Sequence, residues 1–484
     1  NQYTPITGES VLSFCNVTDG SGITGTMDVN TYPPKLKIAS GKHLAWGGSE
    51  QNLCLFQDET SNGSSYAFIP ARPSSGSISG ISQFEFNVRV KVCVSGQDQA
   101  YCRKYSDGTN DYYKPYGLLQ TYGENGGLKF GLMTGSYANN TKGGVLRKNV
   151  SYMGGEAAAA NDKEINPENG QFINQGQNRE GIINTLNRLR IKSWNYSRNI
   201  YEDCDTYNIP EATFLAAASN SNSNRHCGDW GNPVAELYLE ALRYFKGESP
   251  SSAFSLGEND ADELAGLDYV GWDDPFSNDN KCSNCAIILL STGINTFDGD
   301  DLSSVLAASS LPQLAGMAEL SALTKAVGDT EGITGANFMI GNTESDASNT
   351  CTAKIISDLS AVDGICPETP DLNGTYHLAG LAKYAYLTDL RTELEGEQVV
   401  KSYTVSLAET VPALQVTAGN NKSVSIVPYC GSMGTGVQST CTLVDIVDIE
   451  RTNTYGAFYV FWENSLVGSD NDMDAIVVDR KSVV

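Results

Sequence analysis

The sequence predicts an α/β fold, in which helices cover both faces of a central sheet and β-rich regions flank it. The first observation is that apolar strands alternate with amphipathic helices between residues 84 and 410. The second is that short strands joined by turns, such as "ALQVTAGNNKSVSIVPYC", replace the helices after Ala408. The third is that residues 1–83 are rich in Gly, Ser and Asn and hold only short apolar stretches. We therefore predict three regions: 1–83 (loops and strands), 84–410 (α/β) and 411–484 (β-rich).

Four patterns in the central region predict strands. From Phe84 to Val94 apolar side chains alternate with polar ones, which is typical of a half-buried strand. The segments "LKFGLMTG" and "GGVLRKNV" are separated by a polar turn and predict a hairpin. The run from Ala286 to Leu290 is apolar throughout and ends at Ser-Thr-Gly, as a buried strand does where it reaches a ligand site. The segment "VKSYTVSLA" predicts a further strand.

Helices are predicted between these strands. The segment "NPVAELYLEALRYFKG" places apolar residues at helical spacing, with Asn232 as the predicted N-cap and Gly247 at the predicted end. "REGIINTLNRL" and "HLAGLAKYAYLTDLR" predict two more helices. An Ala- and Leu-rich helical stretch broken at Pro312 lies between the strand at Ala286 and the last of them.

Charge and hydropathy argue against two classes of partner. The 484 residues include 32 basic and 57 acidic ones, which gives a net charge of −25. Such a charge repels nucleic acid and anionic lipid and favours cations such as Ca²⁺. No apolar run approaches the roughly 20 residues that span a bilayer, and no leader segment opens the chain. We expect no nucleic-acid partner and no membrane span, and we interpret Asn1 as the start of a mature protein or a fragment.

The cysteines indicate an oxidising compartment, because there are twelve of them and they fall in order into six neighbouring pairs. The predicted pairs are Cys15 with Cys54, Cys93 with Cys102, Cys204 with Cys227, Cys282 with Cys285, Cys351 with Cys366, and Cys430 with Cys441. A metal site is the weaker interpretation, since there are only three histidines and a single C-x-x-C motif. Ala286 follows that motif where a histidine would be needed, so no haem is expected.

A series of motifs occurs in a fixed order between Val88 and Val478. They are "YKPYGLLQTYG", "KFGLMTGSY" with "GGVLRKN", "EINPENGQF", "DWGNPVAELYLEALRYFKG", "CTAKIISDL" with "GICPETP", "YAYLTDLR", "VKSYTVSLA" and "GSDNDMDAIV". In this order they resemble the central region of the PilY-type type IV pilus tip adhesins and biogenesis proteins. The resemblance implies a von Willebrand factor A-like domain with large insertions and an extracellular role at pili in surface attachment. The opening strand with its Asp-x-Ser-x-Ser loop and the C-terminal β-propeller of that family are not visible, so we expect a fragment, a processed product or a shorter relative.

The resemblance also locates a metal-ion-dependent adhesion site. In an A-domain, a divalent cation takes oxygen ligands from the Asp-x-Ser-x-Ser loop, a Thr before a central helix and an Asp after the fourth strand. Here Asn232 stands where the Thr would be, and Thr292 replaces the Asp. Neutral amide and hydroxyl oxygens do not offset the dehydration of the cation. We therefore interpret the site as a structural relic that holds no metal, with Asn232 and Thr292 close together at the carboxyl edge of the sheet.

A second group of carboxylates is the best candidate for calcium. Asp470, Asp472 and Asp474 alternate in a Gly/Ser/Asn loop before "AIVVD", although the glycine and the closing glutamate of an EF-hand are missing. The alternative is a solvated acidic turn. Asp298, Asp300 and Asp301 are weaker candidates, because aspartate commonly serves turns and helix caps.

No catalytic motif is found: the sequence lacks G-x-S-x-G, H-E-x-x-H and a phosphate-binding loop. We therefore expect a non-enzymatic, extracellular, pilus-associated adhesin whose partners are pilin or copies of itself, with a surface ligand that the sequence does not identify. A self-assembling subunit of an extracellular filament is the first alternative. A secreted hydrolase is the second, since the two acids of a glycosidase need no fixed spacing.

Overall fold

A computed structural model describes the chain in part. The described residues are the strands at 12–16, 35–40, 44–47, 54–57 and 83–87, residues 92–94, most of 100–189, 194–195, 200–201, most of 231–406, and C-terminal strands at 414–418, 422–426, 441–451, 455–464 and 473–480.

Short antiparallel strands make up the described part of the N-terminal region. They are β1 (Leu12–Asn16), β2 (Lys35–Ser40), β3 (Leu44–Gly47), β4 (Cys54–Gln57) and β5 (Gln83–Asn87). The first sheet has the order β1-β2-β5, and β3 pairs with β4. The prediction that this last strand, β5, continues to Val94 is wrong. Cys93 has a φ of +57°, which is not an extended conformation, and it forms a disulfide bond with Cys102. A left-handed residue turns the chain out of the extended conformation.

Two hairpins and a short helix follow. They are β6 (Cys102–Ser106), β7 (Asp111–Pro115), α1 (Leu118–Gly123), β8 (Lys129–Thr134) and β9 (Val145–Tyr152). The pairs β6–β7 and β8–β9 are antiparallel, so the hairpin predicted from "LKFGLMTG" and "GGVLRKNV" is confirmed. Its pairing shifts register on both sides of Leu132.

Helices and strands then alternate, as the sequence predicts. The elements are α2 (Ile182–Arg188), β10 (Trp194–Asn195), β11 (Ile200–Tyr201), α3 (Val234–Lys246), β12 (Cys285–Ser291), α4 (Leu302–Ala308), α5 (Met317–Thr330), β13 (Asn337–Ile340), β14 (Thr352–Ile355), a 3-10 turn (Leu359–Ala361), α6 (His377–Leu387) and β15 (Val400–Ser406). The strands β12 and β15 are parallel, with Cys285 opposite Val400. The helices α4, α5 and α6 lie between them in sequence, as a parallel connection requires.

The helix α3 lies at the centre of the main core. Leu239 and Leu242 on α3 are fully buried together with Leu302, Leu320 and Leu381 of the three later helices. The helix ends at Gly247, as predicted, because this glycine adopts a φ of +80° that closes the last turn. The predicted N-cap is wrong: the helix begins at Val234, and the side chain of Asn232 bonds elsewhere.

The C-terminal region is β-rich in its described part, as predicted. Its strands are β16 (Leu414–Ala418), β17 (Lys422–Ile426), β18 (Cys441–Arg451), β19 (Tyr455–Asn464) and β20 (Met473–Arg480). The pair β16–β17 and the sheet β18-β19-β20 are antiparallel. Across all the described segments, no helix has both the length and the apolar character needed to cross a membrane. The mixture of helices and strands is compatible with an α/β fold, whereas the A-domain sheet and the three domain boundaries stay predictions.

Candidate functional site

The start of α3 meets the end of β12. The side-chain amide of Asn232 donates a hydrogen bond of 3.0 Å to Ser291 Oγ, and its backbone N–H donates one of 2.8 Å to Thr296 Oγ1. These bonds tie the residue to the carboxyl end of β12, which is why it does not cap the helix. Thr292 follows directly but lies outside the described residues, so its predicted proximity to Asn232 stays a prediction.

Glu236, in the first turn of α3, has no exposed surface. Its Oε2 accepts a hydrogen bond of 2.9 Å from the backbone N–H of Gly143, in the loop before β9. Its Oε1 accepts one of 2.9 Å from the backbone N–H of Asp301, in the loop before α4. A single carboxyl group therefore joins three segments that are far apart in sequence.

Three carboxyl groups meet at this point. One carboxyl oxygen from each of Glu236, Asp300 and Asp301 lies within 4.8 Å of the other two. Lys142 forms an ion pair with Asp301. Burial is the main cause that raises the pKa of Glu236 to about 8, and it also raises the pKa of Asp300. One ammonium group does not neutralise three carboxylates, so a proton held by this cluster at neutral pH relieves their repulsion.

The chemistry of the cluster suits either a proton or a hard cation. Carboxylate oxygens are the ligands that Ca²⁺ and Mg²⁺ take in proteins. Here, however, the carboxyl group of Glu236 already accepts hydrogen bonds from two backbone N–H groups, and that of Asp301 already forms an ion pair with Lys142. The protein's own donors thus satisfy much of the cluster.

Glu236 was not among the residues singled out from the sequence, and Asp300 and Asp301 were ranked there as weaker calcium candidates. The available signal was the helical spacing of Glu236, Glu240 and Arg243, which form a polar stripe that sequence patterns normally place in solvent. All three are buried. Glu240 pairs with Arg243, which also bonds Glu248 at 2.7 Å, so the stripe is satisfied internally.

Asp298 is a further buried carboxyl group in the loop after β12. Its Oδ1 accepts a hydrogen bond of 2.7 Å from the backbone N–H of Thr375, just before α6. Burial raises its pKa to about 7. The geometry gives Asp298 the role of connecting this loop to the start of α6.

The calcium candidates are only partly placed. Asp470 and Asp472 lie outside the described residues, and Asp474 occupies a position in β20 opposite Phe461 of β19. Calcium binding by this group stays a prediction.

Two of the predicted disulfides are present, Cys93–Cys102 and Cys351–Cys366. The other four predicted pairs each include residues that the described part does not cover or whose side chains it does not place. They stay predictions.

Comparison with known proteins decides the family. A family model described as "PilY1 homolog, second domain" matches residues 130–385, more than half of the chain. The chain belongs to this PilY1 homolog family. The predicted resemblance to PilY-type proteins is therefore confirmed.

Two curated relatives come from Xylella fastidiosa (strain Temecula1), and both are named type IV pilus biogenesis factor PilY1 homolog. The first is 31% identical over 447 residues, which cover 84% of this chain and 28% of the relative. The second is 25% identical over 348 residues, which cover 67% of this chain and 25% of the relative. The chain thus spans about a quarter of the length of these relatives. No solved structure matches it.

Proposed function

We propose that this chain serves type IV pilus biogenesis and surface attachment from outside the cell, without catalysis. The observation that carries the proposal is the family match over residues 130–385, together with relatives that are named as pilus biogenesis factors. The two disulfides support an oxidising compartment. The proposed partners are pilin subunits and a surface ligand.

We further propose that the adhesion site at the end of β12 is a relic. Asn232 donates hydrogen bonds to the hydroxyl groups of Ser291 and Thr296. None of these three residues carries a carboxylate that could bind a divalent cation. Attachment would then depend on other protein surfaces. Replacing Asn232 by Ala should leave attachment unchanged, provided that the variant folds, and a loss of attachment in a folded variant would contradict the relic.

The test of the main proposal is deletion of the encoding region. We expect fewer pili per cell by electron microscopy and weaker attachment to a surface, both restored by a plasmid copy of the wild-type gene. Normal piliation with normal attachment would overturn the proposal. If the deletion strain instead lost a secreted glycoside hydrolase activity, the enzyme alternative would replace it.

The same strains distinguish an adhesin from a filament subunit. Immunogold labelling of the protein should mark pili at isolated positions, as expected of a minor component. Continuous labelling along a separate fibre would favour the self-assembling filament, because repetition of one head-to-tail contact builds an open fibre.

A further inference from the structure

Lys142 is in direct contact with the carboxyl group of Asp301. Its Nζ donates a hydrogen bond to Oδ2 of Asp301, across 159 residues of sequence. The two side chains are 31% and 21% exposed, so protein surrounds most of the contact. A nitrogen that is hydrogen-bonded to a carboxyl oxygen is close to the carbon of that group, which is the atom that an amine attacks. The contact therefore brings together the two reacting groups of an amide bond.

The carboxyl group of Glu236 is held beside both reacting groups. It accepts hydrogen bonds from the backbone N–H of Asp301 and from that of Gly143, which follows Lys142 in the chain. One of its oxygens lies within 4.8 Å of a carboxyl oxygen of Asp301. Glu236 has no exposed surface, and burial raises its pKa to about 8, so it holds a proton at neutral pH. A protonated carboxyl group can give a proton from one oxygen and take one at the other.

The ion pair becomes reactive when it loses its charges. Burial lowers the pKa of Lys142, but the hydrogen bond with Asp301 outweighs burial and raises the pKa overall, so the amine is charged in the resting pair. Transfer of one proton from Nζ to the carboxylate of Asp301 gives a neutral amine and a carboxylic acid. Burial lowers the cost of this transfer, because it disfavours the charged forms of both groups.

We infer that Lys142 and Asp301 are joined by an intramolecular amide bond, which forms after folding with Glu236 as the proton relay. The Nζ of Lys142 attacks Cγ of the Asp301 carboxylic acid, and a C–N bond forms. Glu236 takes a proton from the nitrogen and gives its own proton to the hydroxyl group on Cγ, whose C–O bond breaks to release water. One amine and one carboxylic acid thus give one amide and one water, without an oxidant, a reductant or a further reactant. This inference does not depend on the proposed role at pili.

The fold supplies what this condensation needs. Amines and carboxylic acids do not condense in dilute aqueous solution, but groups held in reacting geometry reach effective molarities of roughly 10⁵ to 10⁸ M. The ion pair of Lys325 with Asp329 on α5 is the matched comparison. Its side chains are 43% and 48% exposed, so solvent stabilises both charges and we expect no amide there. The amide at Lys142 closes a covalent ring between the loop before β9 and the loop before α4.

Peptide mapping of the protein purified from the cells that make it tests the bond. After reduction and digestion with trypsin, we expect a branched peptide that links Lys142 to Asp301 and is lighter than its two components by one water molecule. Separate, unlinked peptides for these two residues would overturn the inference. Asp298 precedes Gly299, and such a pair can also lose water by forming a succinimide. A loss of water without a branched peptide would therefore count against the amide bond.

Two variants test the roles of the residues. Lys142→Arg keeps the positive charge and the ion pair, but its guanidinium is not a nucleophile at neutral pH. This variant should fold, lack the branched peptide and, once reduced, migrate more slowly than the wild type on a denaturing gel, because its chain holds no covalent ring. Glu236→Gln cannot relay a proton, so the amide should form at least about a hundredfold more slowly in folded protein. Equal migration of Lys142→Arg and the wild type would overturn the inference, and unchanged amide formation in folded Glu236→Gln would overturn the relay.

Discussion

The backbone N–H of Asp301 donates a hydrogen bond of 2.9 Å to the carboxyl group of Glu236, across 65 residues of sequence. The same carboxyl group accepts the N–H of Gly143 on its other oxygen. Glu236 therefore fixes the loop before β9 and the loop before α4 against the first turn of α3. Because this group is buried beside Asp300 and Asp301, its protonation is coupled to the stability of the fold.

The first prediction concerns pH. The pKa of Glu236 rises from 4.5 to about 8 on folding. A raised carboxyl pKa means that the folded state binds the proton more tightly. Protonation of Glu236 therefore contributes its full stabilisation of the folded state below pH 4.5, and this contribution is lost as the pH rises to about 8. Chemical denaturation should show the free energy of unfolding falling by up to about 1.4 kcal/mol per pH unit from this group.

Glu236→Gln should remove this part of the pH dependence. Glutamine keeps the shape of the side chain but binds no proton, so the difference in stability between the wild-type protein and the variant should change across pH 5 to 8. Glu319→Gln is the matched control, since Glu319 lies in the first turn of α5 and is exposed. Stability curves of wild type and Glu236→Gln that stay parallel over this range would contradict the assignment.

The second prediction concerns the disulfide Cys351–Cys366. It closes a loop with a sequence separation of 15, and restriction of the unfolded chain should stabilise the fold by about 3 kcal/mol. The double variant Cys351→Ser with Cys366→Ser should lose this amount in denaturant unfolding. The same change at Cys93 and Cys102, with a separation of nine, should cost a few tenths of a kcal/mol less. A double variant as stable as the oxidised wild type would refute the prediction.

The third prediction concerns an ion pair with no exposed surface. Arg147 in β9 pairs with Asp260, which also accepts a hydrogen bond of 2.8 Å from Ser136 Oγ. Asp260→Asn leaves a buried guanidinium without its counter-charge and should lower the free energy of unfolding by about 3 to 5 kcal/mol. Asp329→Asn, which removes the exposed pair with Lys325, should have little effect.

A second variant separates the charge effect from packing. Removing both charges, with Arg147→Met and Asp260→Leu, should recover much of the loss, because apolar pairs of similar volume often replace buried ion pairs without cost. If Asp260→Asn alone unfolded at the same urea concentration as the wild type, the predicted contribution of this buried ion pair to the free energy of unfolding would be wrong.

Local patterns predicted those elements whose ends depend on nearby residues. The hairpin β8–β9 and the end of α3 at Gly247 followed from turn residues and helical spacing, and both are confirmed. The strand predicted to Val94 stops earlier, since the left-handed backbone at Cys93 belongs to a disulfide-linked turn that alternation alone does not reveal. Asn232 fits an N-cap pattern. Its side chain instead forms a hydrogen bond with Ser291, which is distant in sequence, and so it does not cap α3.

The candidate site could not be predicted for the same reason. The packing of α3 against the loop after β12 brings Glu236 and Asp301 together. The sequence alone does not show that these two residues are close in space. Arg147 and Asp260 are separated by 113 residues, and neither has a local pattern that predicts its partner. Long-range polar contacts of this kind follow from the fold rather than from propensity.

The fourth prediction is that Asp470, Asp472 and Asp474 bind calcium. The net charge of −25 favours cations, and three aspartates at alternate positions supply the oxygen ligands that Ca²⁺ takes. An ion that binds only the folded state stabilises it by about 2.7 kcal/mol when its concentration is 100 times Kd. Saturating Ca²⁺ should therefore raise the melting temperature above that in a chelator, and Asp472→Ala should remove most of the rise. Asp329→Ala, an exposed aspartate on α5, should keep it. If the wild-type protein melts at the same temperature with and without chelator, the three aspartates form a solvated acidic turn instead.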